Sequence, residues 1–166
     1  MDYSSVKINK FAIPSTALNK TKEELFFLAY TDRLTETYNR NMFEEFRKEF
    51  DKENYTPLFV TIVDIDGLKI INDTEGHAAG DAHIKWVASQ LMDNTGGSVF
   101  RLGGDEFLIV DRQPILLNSI QSISYGSVER HPYESLAEAM HRADKAMYLA
   151  KRNKKSRKER IYAHRN

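Results

Sequence analysis

Cysteine is absent from the sequence, and this absence excludes a disulfide framework and any thiolate metal site. No apolar run approaches the roughly 18 residues that a membrane span requires, and residues 1–10 lack the apolar core of a signal peptide. The formal net charge is +0, so the overall positive charge typical of nucleic-acid-binding proteins is also missing. These absences predict a cytoplasmic protein that binds neither a membrane nor a nucleic-acid polymer.

The composition that remains is that of one folded domain. The 166 residues are 41% hydrophobic and 29% charged, which is ordinary for a globular chain that buries its own core. Residues 1–20 show no periodicity and are interpreted as a leader or linker. Residues 21–166 contain no repeat and no internal boundary, and they are predicted to form a single domain.

Periodicity predicts four helices. A Thr21–Glu24 capping box begins the first, and Asn39 is the expected N-cap of the second, which has phenylalanines at 43, 46 and 50 on one face. The third contains Ile84, Val87 and Leu91. The last follows a Ser135–Glu138 capping box and has apolar residues at 136, 140, 143, 147 and 150.

Strands are predicted between these helices. They cover the apolar run at 58–66, a hairpin at 98–110, residues 122–128 and a closing strand within 160–164. The order of elements predicts an α/β sandwich in which helices cover a mixed sheet.

Two acidic segments carry the chemistry. Asp64 and Asp66 end a buried strand, where carboxylates are costly unless a cation or hydrogen-bond donors face them. Asp105 and Glu106 lie at the tip of the hairpin, so the two segments together offer the oxygen ligands of a hard divalent cation. Asn72 and Asp81 supply the donors and acceptors that read the edge of a purine. Taken singly, each of these residues also fits ordinary turn chemistry.

Five motifs follow one another along the chain, namely DRLTETYNRN, DIDGLKIINDTEGHAAGD, RLGGDEF, ISYGSV and RADKAMYLAK. In this order they resemble the GGDEF family of diguanylate cyclases, from about residue 32 to residue 155. Glu36 and Thr37 replace the usual Gly-Leu of the first motif, and Leu68 replaces the usual Phe of the second. The RLGGDEF signature is intact.

This resemblance implies a palm-like fold like that of nucleotide cyclases and polymerases. It also implies the condensation of two GTP molecules, one on each subunit of a homodimer, into cyclic di-GMP and two pyrophosphates. Two Mg²⁺ or Mn²⁺ ions per half-site would take part in the phosphoryl transfer. An upstream sensor domain or a partner protein is the expected source of regulation.

The resemblance also implies roles for individual residues. Asp64, Asp105 and the carbonyl of Ile65 would bind metal, with Asp105, Glu106 and Lys69 as the catalytic residues. Binding of the substrate would fall to Asn72, His77, Asp81, Gly103, Gly104, Lys151 and Lys155. Lys155 stands where the family has an arginine, and it would bind phosphate through one charge without bidentate geometry.

Two segments depart from the family. Residues 94–97, NTGG, lack both charges of the inhibitory R-x-x-D motif, so product inhibition by that route is not expected. Residues 111–121 replace a full helix, a loop and a hairpin, and they leave room for two or three helical turns at most, starting near Pro114. We therefore expect a thinly covered sheet face with an exposed apolar patch that favours self-association or the binding of a partner protein.

Other functions remain open from the sequence. The basic run at 151–160 suits a solvated helix end near its dipole, a phosphate-facing surface or a polynucleotide-binding tail. The whole domain suits an active diguanylate cyclase, a weak or inactive module that binds GTP or a partner protein, or a related nucleotidyl transferase with a different product.

Overall fold

The computed structural model describes residues 21–50 and 58–163, with side chains described as far as residue 157. The predicted leader at 1–20 and the proline at 57 lie outside these ranges. The helices are α1 (Lys22–Tyr30), α2 (Arg40–Phe50), α3 (Leu68–Glu75), α4 (His77–Asp93) and α5 (Leu136–Ala163). The strands are β1 (Phe59–Ile65), β2 (Ser98–Gly103), β3 (Glu106–Asp111) and β4 (Ile123–Glu129).

The four strands form one sheet in the order β2-β3-β1-β4. All three strand pairings are antiparallel, so the expectation of a mixed sheet was wrong in this detail. One isolated parallel bridge joins Tyr38 to Phe100 at the β2 edge. The α/β class itself is confirmed.

Alternation along β1 sends its side chains to two different cores. Val63 and Ile65 pack with α4 residues such as Val87. Val60 and Ile62 pack on the opposite face with α2 and α5. The sheet is therefore covered on both faces, and Asp64 follows Ile62 on the face that α5 covers.

The helix starts agree with their predicted caps. Both capping boxes form, since Thr21 and Ser135 each exchange hydrogen bonds with the glutamate three residues later. Asn39 accepts from the N–H of Met42, which confirms it as the N-cap of α2. Phe43 and Phe50 are buried, and Phe46 packs beside them.

The C-terminal end of α5 differs from its prediction. Residues 160–163 continue the helix, so the predicted closing strand was wrong over those residues. No glycine or proline follows Ser135, and lysine and arginine are good helix formers, so nothing local ends the helix. Ala150, which was expected on the apolar face, is exposed.

The segment after the hairpin also differs from its prediction. Residues 112–122 contain no helix, although room for two or three turns was expected. Ile115, Leu117 and Ile120 are buried in the core that contains Val87 of α4, while Leu116 is 77% exposed. The burial of Ile115 and Leu117 on either side of an exposed residue is the alternation of an extended chain. The segment thus covers the sheet face, and the predicted apolar patch is reduced to one leucine.

Among the described residues, no helix has a stretch both long and apolar enough to cross a bilayer.

Candidate functional site

The ends of β1 and β3 bring the two acidic segments together. Asp64 lies opposite Glu106 in β3 and opposite Ser124 in β4. The N–H of Ile65 donates to the carbonyl of Asp105 over 3.1 Å. Facing residues of an antiparallel pair have Cβ atoms about 5 Å apart, so the carboxylates of 64 and 106 share one edge of the site.

The tip of the β2–β3 hairpin has a backbone that favours glycine. Gly103 has φ 153° and Gly104 has φ 49°, both in the region that residues with a Cβ rarely adopt. A Cβ built on either glycine meets no atom within 4 Å. The tip therefore faces open space, where the backbone can approach a ligand directly.

Arg101 holds this tip to the chain that precedes α2. Its guanidinium donates to Oδ1 of Asp32 over 2.9 Å and to the carbonyl of Gly104 over 3.2 Å from Nε and 2.8 Å from Nη2. Burial raises the pKa of Asp32, but hydrogen bonds from Arg101 and Thr35 outweigh it and lower that pKa below its ordinary value. Asp32 is thus a carboxylate that links the first motif to the hairpin.

Two lysines of α5 contact the acids of β1. Nζ of Lys151 donates to Oδ1 of Asp64 over 2.5 Å. Burial lowers the pKa of Lys151, but the hydrogen bond to Asp64 and the negative charges of Asp64, Asp66 and Asp105 outweigh it and raise that pKa. An ammonium group therefore lies in the field of all three carboxylates.

Asp66 is engaged through both of its carboxylate oxygens. Ser124 donates to Oδ1 over 2.7 Å, and Lys154 donates to Oδ2 over 2.5 Å. Among the described residues, the Asp64 carboxylate has one side-chain partner, Lys151, which bonds to Oδ1. Of the two acids, Asp64 is the one that retains an oxygen for another ligand.

A cavity of about 500 Å³ opens beside these lysines. One side is formed by Tyr148 and four cationic residues, namely Lys151, Arg152, Lys154 and Lys155. Asp66, Gly67 and Ile70 form the other side. The excess of cations makes this cavity suitable for an anionic group.

The polar residues of α3 and α4 form a second part of the site. Gly80 lies so close to Asn72 that a Cβ at 80 would be 1.9 Å from Oδ1 of that asparagine. Asp81 follows on α4, and it shares a helix face with His77, four residues earlier. Both are exposed, as is Lys69 on α3.

The described residues contain no cluster of three or more acidic or histidine side chains that could hold a metal by themselves. A cation at Asp64 and Asp105 would therefore need further oxygen atoms from the backbone or from a phosphate. That is the usual way in which Mg²⁺ is held, by one or two carboxylates, water and substrate phosphates.

Sequence reasoning missed Arg101, Asp32 and Lys154. Arg101 contacts Gly104 three residues away, but its bond to Asp32 spans 69 positions and the bond of Lys154 to Asp66 spans 88. No local spacing pattern indicated these distant contacts. The available signals were a basic residue two positions before the first hairpin glycine and a second lysine three positions after Lys151.

Comparison with known proteins gives consistent matches. The family model described as the diguanylate cyclase GGDEF domain matches residues 29–118, which is more than half of the chain. Diguanylate cyclase DosC of Escherichia coli K12 is 34% identical over 160 residues, covering 77% of this chain and 34% of its own length. A diguanylate cyclase of Vibrio cholerae is 30% identical over 174 residues, covering 86% of this chain and 53% of its own length.

Solved structures give the same result. The coiled coil and GGDEF domain of DgcB from Caulobacter crescentus, crystallised in complex with c-di-GMP, is 27% identical with a TM-score of 0.71. The match covers 84% of this chain and 89% of that one. The chain spans about a third to a half of the length of these two curated relatives.

Proposed function

The chain belongs to the diguanylate cyclase GGDEF-domain family, and on that premise we propose that it condenses two GTP molecules into cyclic di-GMP. In each half-reaction the 3′-oxygen of one GTP forms a bond to the α-phosphorus of the other. The bond from that phosphorus to the bridging oxygen breaks, and pyrophosphate leaves. Two such steps close the ring and release two pyrophosphates.

The observation that carries this proposal is the meeting of carboxylates and a cation at the end of β1. Asp64 lies opposite Glu106, the backbone carbonyl of Asp105 accepts from the N–H of Ile65, and the ammonium of Lys151 donates to Asp64. A site that holds one cation between carboxylates is suited to exchange it for others. Positioning and charge stabilisation supply most of the rate in phosphoryl transfer.

Mg²⁺ or Mn²⁺, two per half-site, fits the donor set. Asp64, Asp105 and the Ile65 carbonyl offer the hard oxygen ligands that these ions prefer, and triphosphate oxygens would complete the shells. When bound, these ions would neutralise phosphate charge and make the attacking 3′-hydroxyl more acidic.

Two acidic side chains are proposed to accept the proton that the attacking 3′-hydroxyl loses. Asp105 is proposed to accept it from the 3′-hydroxyl, with Glu106 as a further acidic partner. Asp105 is half-buried at the hairpin tip, and Glu106 is exposed, so both are accessible to a substrate at that edge.

The remaining residues would bind and orient GTP. Asn72 and Asp81 are proposed to read guanine, with His77 in support. The backbone of Gly103 and Gly104 would approach the α-phosphate. Lys69 would stabilise phosphate charge, while Lys151 and Lys155 beside the cationic cavity would contact the terminal phosphates.

The proposed reaction needs two GTP molecules facing each other, so we propose a homodimer with one GTP per subunit. Support comes from α1, which has no buried residue. Its apolar side chains at 25, 26, 27 and 28 are between 37% and 53% exposed. A second copy, an upstream sensor domain or a partner protein would cover such a surface.

Product analysis tests this function. Purified protein is incubated with GTP and Mg²⁺ or Mn²⁺, the products are resolved by mass, and Asp105→Asn is compared with the control Asp93→Asn, which changes an exposed acid at the end of α4. We expect cyclic di-GMP from the wild type and the control, and a loss of about a hundredfold or more in Asp105→Asn. GTP binding without any dinucleotide would instead favour a binding module. A linear or mixed dinucleotide would indicate a different nucleotidyl transferase.

A further inference from the structure

Lys154 contacts three acceptors around its ammonium group. These are Oδ2 of Asp66 at 2.5 Å, the carbonyl of Ile123 at 2.9 Å and the carbonyl of Gln121. A lysine ammonium has three N–H donors, so each has an acceptor here. Lys154 therefore joins α5 to the end of β1 and the start of β4 at one point.

The position of this contact on α5 matters because the apolar packing of the helix ends earlier. Gly126 allows the helix to touch β4 directly, since a Cβ at 126 would lie 2.2 Å from the carbonyl oxygen of Ala143 and from the N atom of Met147. Met147 is the last buried residue among the described side chains of α5. Lys151 comes one turn beyond it and Lys154 almost a second turn.

The two lysines pair with the two acids in chain order, Lys151 with Asp64 and Lys154 with Asp66. Lys151 and Lys154 are three residues apart on one helix face, about 4.5 Å along the axis. Asp64 lies in β1, and Asp66 lies in the turn that directly follows this strand. Lys154 is 32% exposed and Lys151 44%, so the outer lysine is the more enclosed of the two.

We propose that Lys154 is a positioning residue, which fixes the distal part of α5 so that Lys151 is held over Asp64 at the edge of the cationic cavity. Without Lys154, the turn that carries Lys151 would extend past the last packed residue of the helix, and its ammonium would sample a wider volume. The inference rests on the proposed function, because it takes Lys151 as the cation that meets the terminal phosphates of GTP.

A binding experiment with a double-mutant cycle tests this role. The affinity for an α,β-methylene analogue of GTP with Mg²⁺ is measured for Lys154→Met, Lys154→Arg, Lys151→Met, the 151/154 double methionine variant and the control Lys145→Met, which changes an exposed residue of α5. We expect Lys154→Met to weaken binding about threefold or more, Lys154→Arg to retain most of the affinity, and the control to match the wild type. In the Lys151→Met background, the further change at 154 should have little effect on the affinity, because the ammonium group that Lys154 positions is already absent.

Two results would overturn the inference. In the first, Lys154→Met binds the analogue with the same affinity as the control variant. In the second, the change at 154 lowers the affinity by the same factor in the wild-type and Lys151→Met backgrounds.

Hydrogen exchange supplies a readout that does not depend on GTP. We expect faster exchange of the amides at 151–157 in Lys154→Met, with those at 136–147 unchanged. Unchanged exchange at 151–157 would contradict the positioning role, whether or not the wild type binds the nucleotide. Failure of the wild type to bind the nucleotide would contradict only the proposed function. Asp66→Asn removes the charged acceptor and is expected to give the same pattern to a smaller degree, so a folding failure of one variant leaves the test intact.

Discussion

Nη1 of Arg101 lies 2.9 Å from Oδ1 of Asp32, across 69 positions of the chain. The same guanidinium donates to the Gly104 carbonyl at the hairpin tip. The turn before α2 and the tip that carries Asp105 are therefore held by a single side chain, whose exposed fraction is 12%.

Replacement of Arg101 by methionine is expected to destabilise the fold by about 1–3 kcal/mol, because a half-buried carboxylate loses a charged donor. Cyclase activity should fall further than stability alone explains, since the hairpin tip loses its support. Urea unfolding and product formation measure the two effects. Arg101→Lys keeps the charge without the fork and should recover only part of the loss; full recovery by lysine would contradict the geometric role.

The buried carboxylate of Asp111 is expected to make the free energy of unfolding depend on pH. It is 8% exposed, and it accepts hydrogen bonds from the hydroxyl of Thr95 over 2.5 Å and from the N–H groups of Gly96 and Gln113. Burial raises the pKa of Asp111, but these bonds outweigh it and hold that pKa below its ordinary value of 3.8. A depressed folded pKa adds stability above the unfolded value, and this stability is lost as the pH falls below 3.8 toward the folded pKa.

We expect Asp111→Asn to be about 1–3 kcal/mol less stable than the wild type at pH 7, because the amide cannot accept all of these bonds. The difference should shrink as the pH falls below 3.8. Urea unfolding across that range checks this. Some slope should remain in the variant, because hydrogen bonds also lower the pKa values of Asp32 and Glu134. A constant difference at all pH values would show that the charge of residue 111 is not involved.

Gly80→Ala tests the proposed guanine contact without altering a residue that touches the nucleotide. An added Cβ would be 1.9 Å from Oδ1 of Asn72, so the flexible amide must turn away. Alanine suits a helix, and we expect the thermal midpoint to change little while KM for GTP rises about tenfold. Gly96→Ala, where a Cβ meets no atom within 4 Å, is the matched control. An unchanged KM would remove Asn72 from the proposed guanine site.

Lys151→Met should change metal binding and nucleotide binding in opposite directions. Loss of the ammonium leaves Asp64 without the partner it now has at 2.5 Å, so Mn²⁺ should bind the nucleotide-free protein more tightly, by about threefold or more. GTP should bind more weakly, because a phosphate contact is lost. Titration of Mn²⁺ with and without nucleotide measures both, and a chelator should abolish product formation in the wild type. Weaker Mn²⁺ binding in the variant would contradict this competition.

A substitution at Glu36 is expected to stabilise the protein. This exposed residue has φ 62°, a left-handed conformation that costs a residue with a Cβ about 1 kcal/mol or more. Glu36→Gly should raise the free energy of unfolding by about 0.5–1 kcal/mol, since glycine removes this strain but has a more disordered unfolded state. Glu36→Ala keeps the Cβ and serves as the control. Equal stabilisation by both substitutions would point to the charge of residue 36.

Local pattern alone determined most elements of this protein. Capping boxes and helical spacing located the starts of α1, α2 and α5, and an apolar run followed by acids located β1. These features depend on residues within a few positions of each other, so their physics can be read directly from the sequence. The family motifs added the expected site residues on the same local basis. The segment after the hairpin was mispredicted because packing, rather than propensity, drew Ile115 and Leu117 into the core as an extended chain.

Only the tertiary structure decided which acid stays available and which cations surround it. Asp64 and Asp66 look alike in sequence, yet Asp66 is engaged by Ser124 and by Lys154, 58 and 88 residues away. Contacts over such distances depend on the antiparallel register of the sheet and on the path of α5 across it. No local spacing encodes that path, because it is set by close packing at Gly126 and by the burial of apolar side chains on both faces of the sheet.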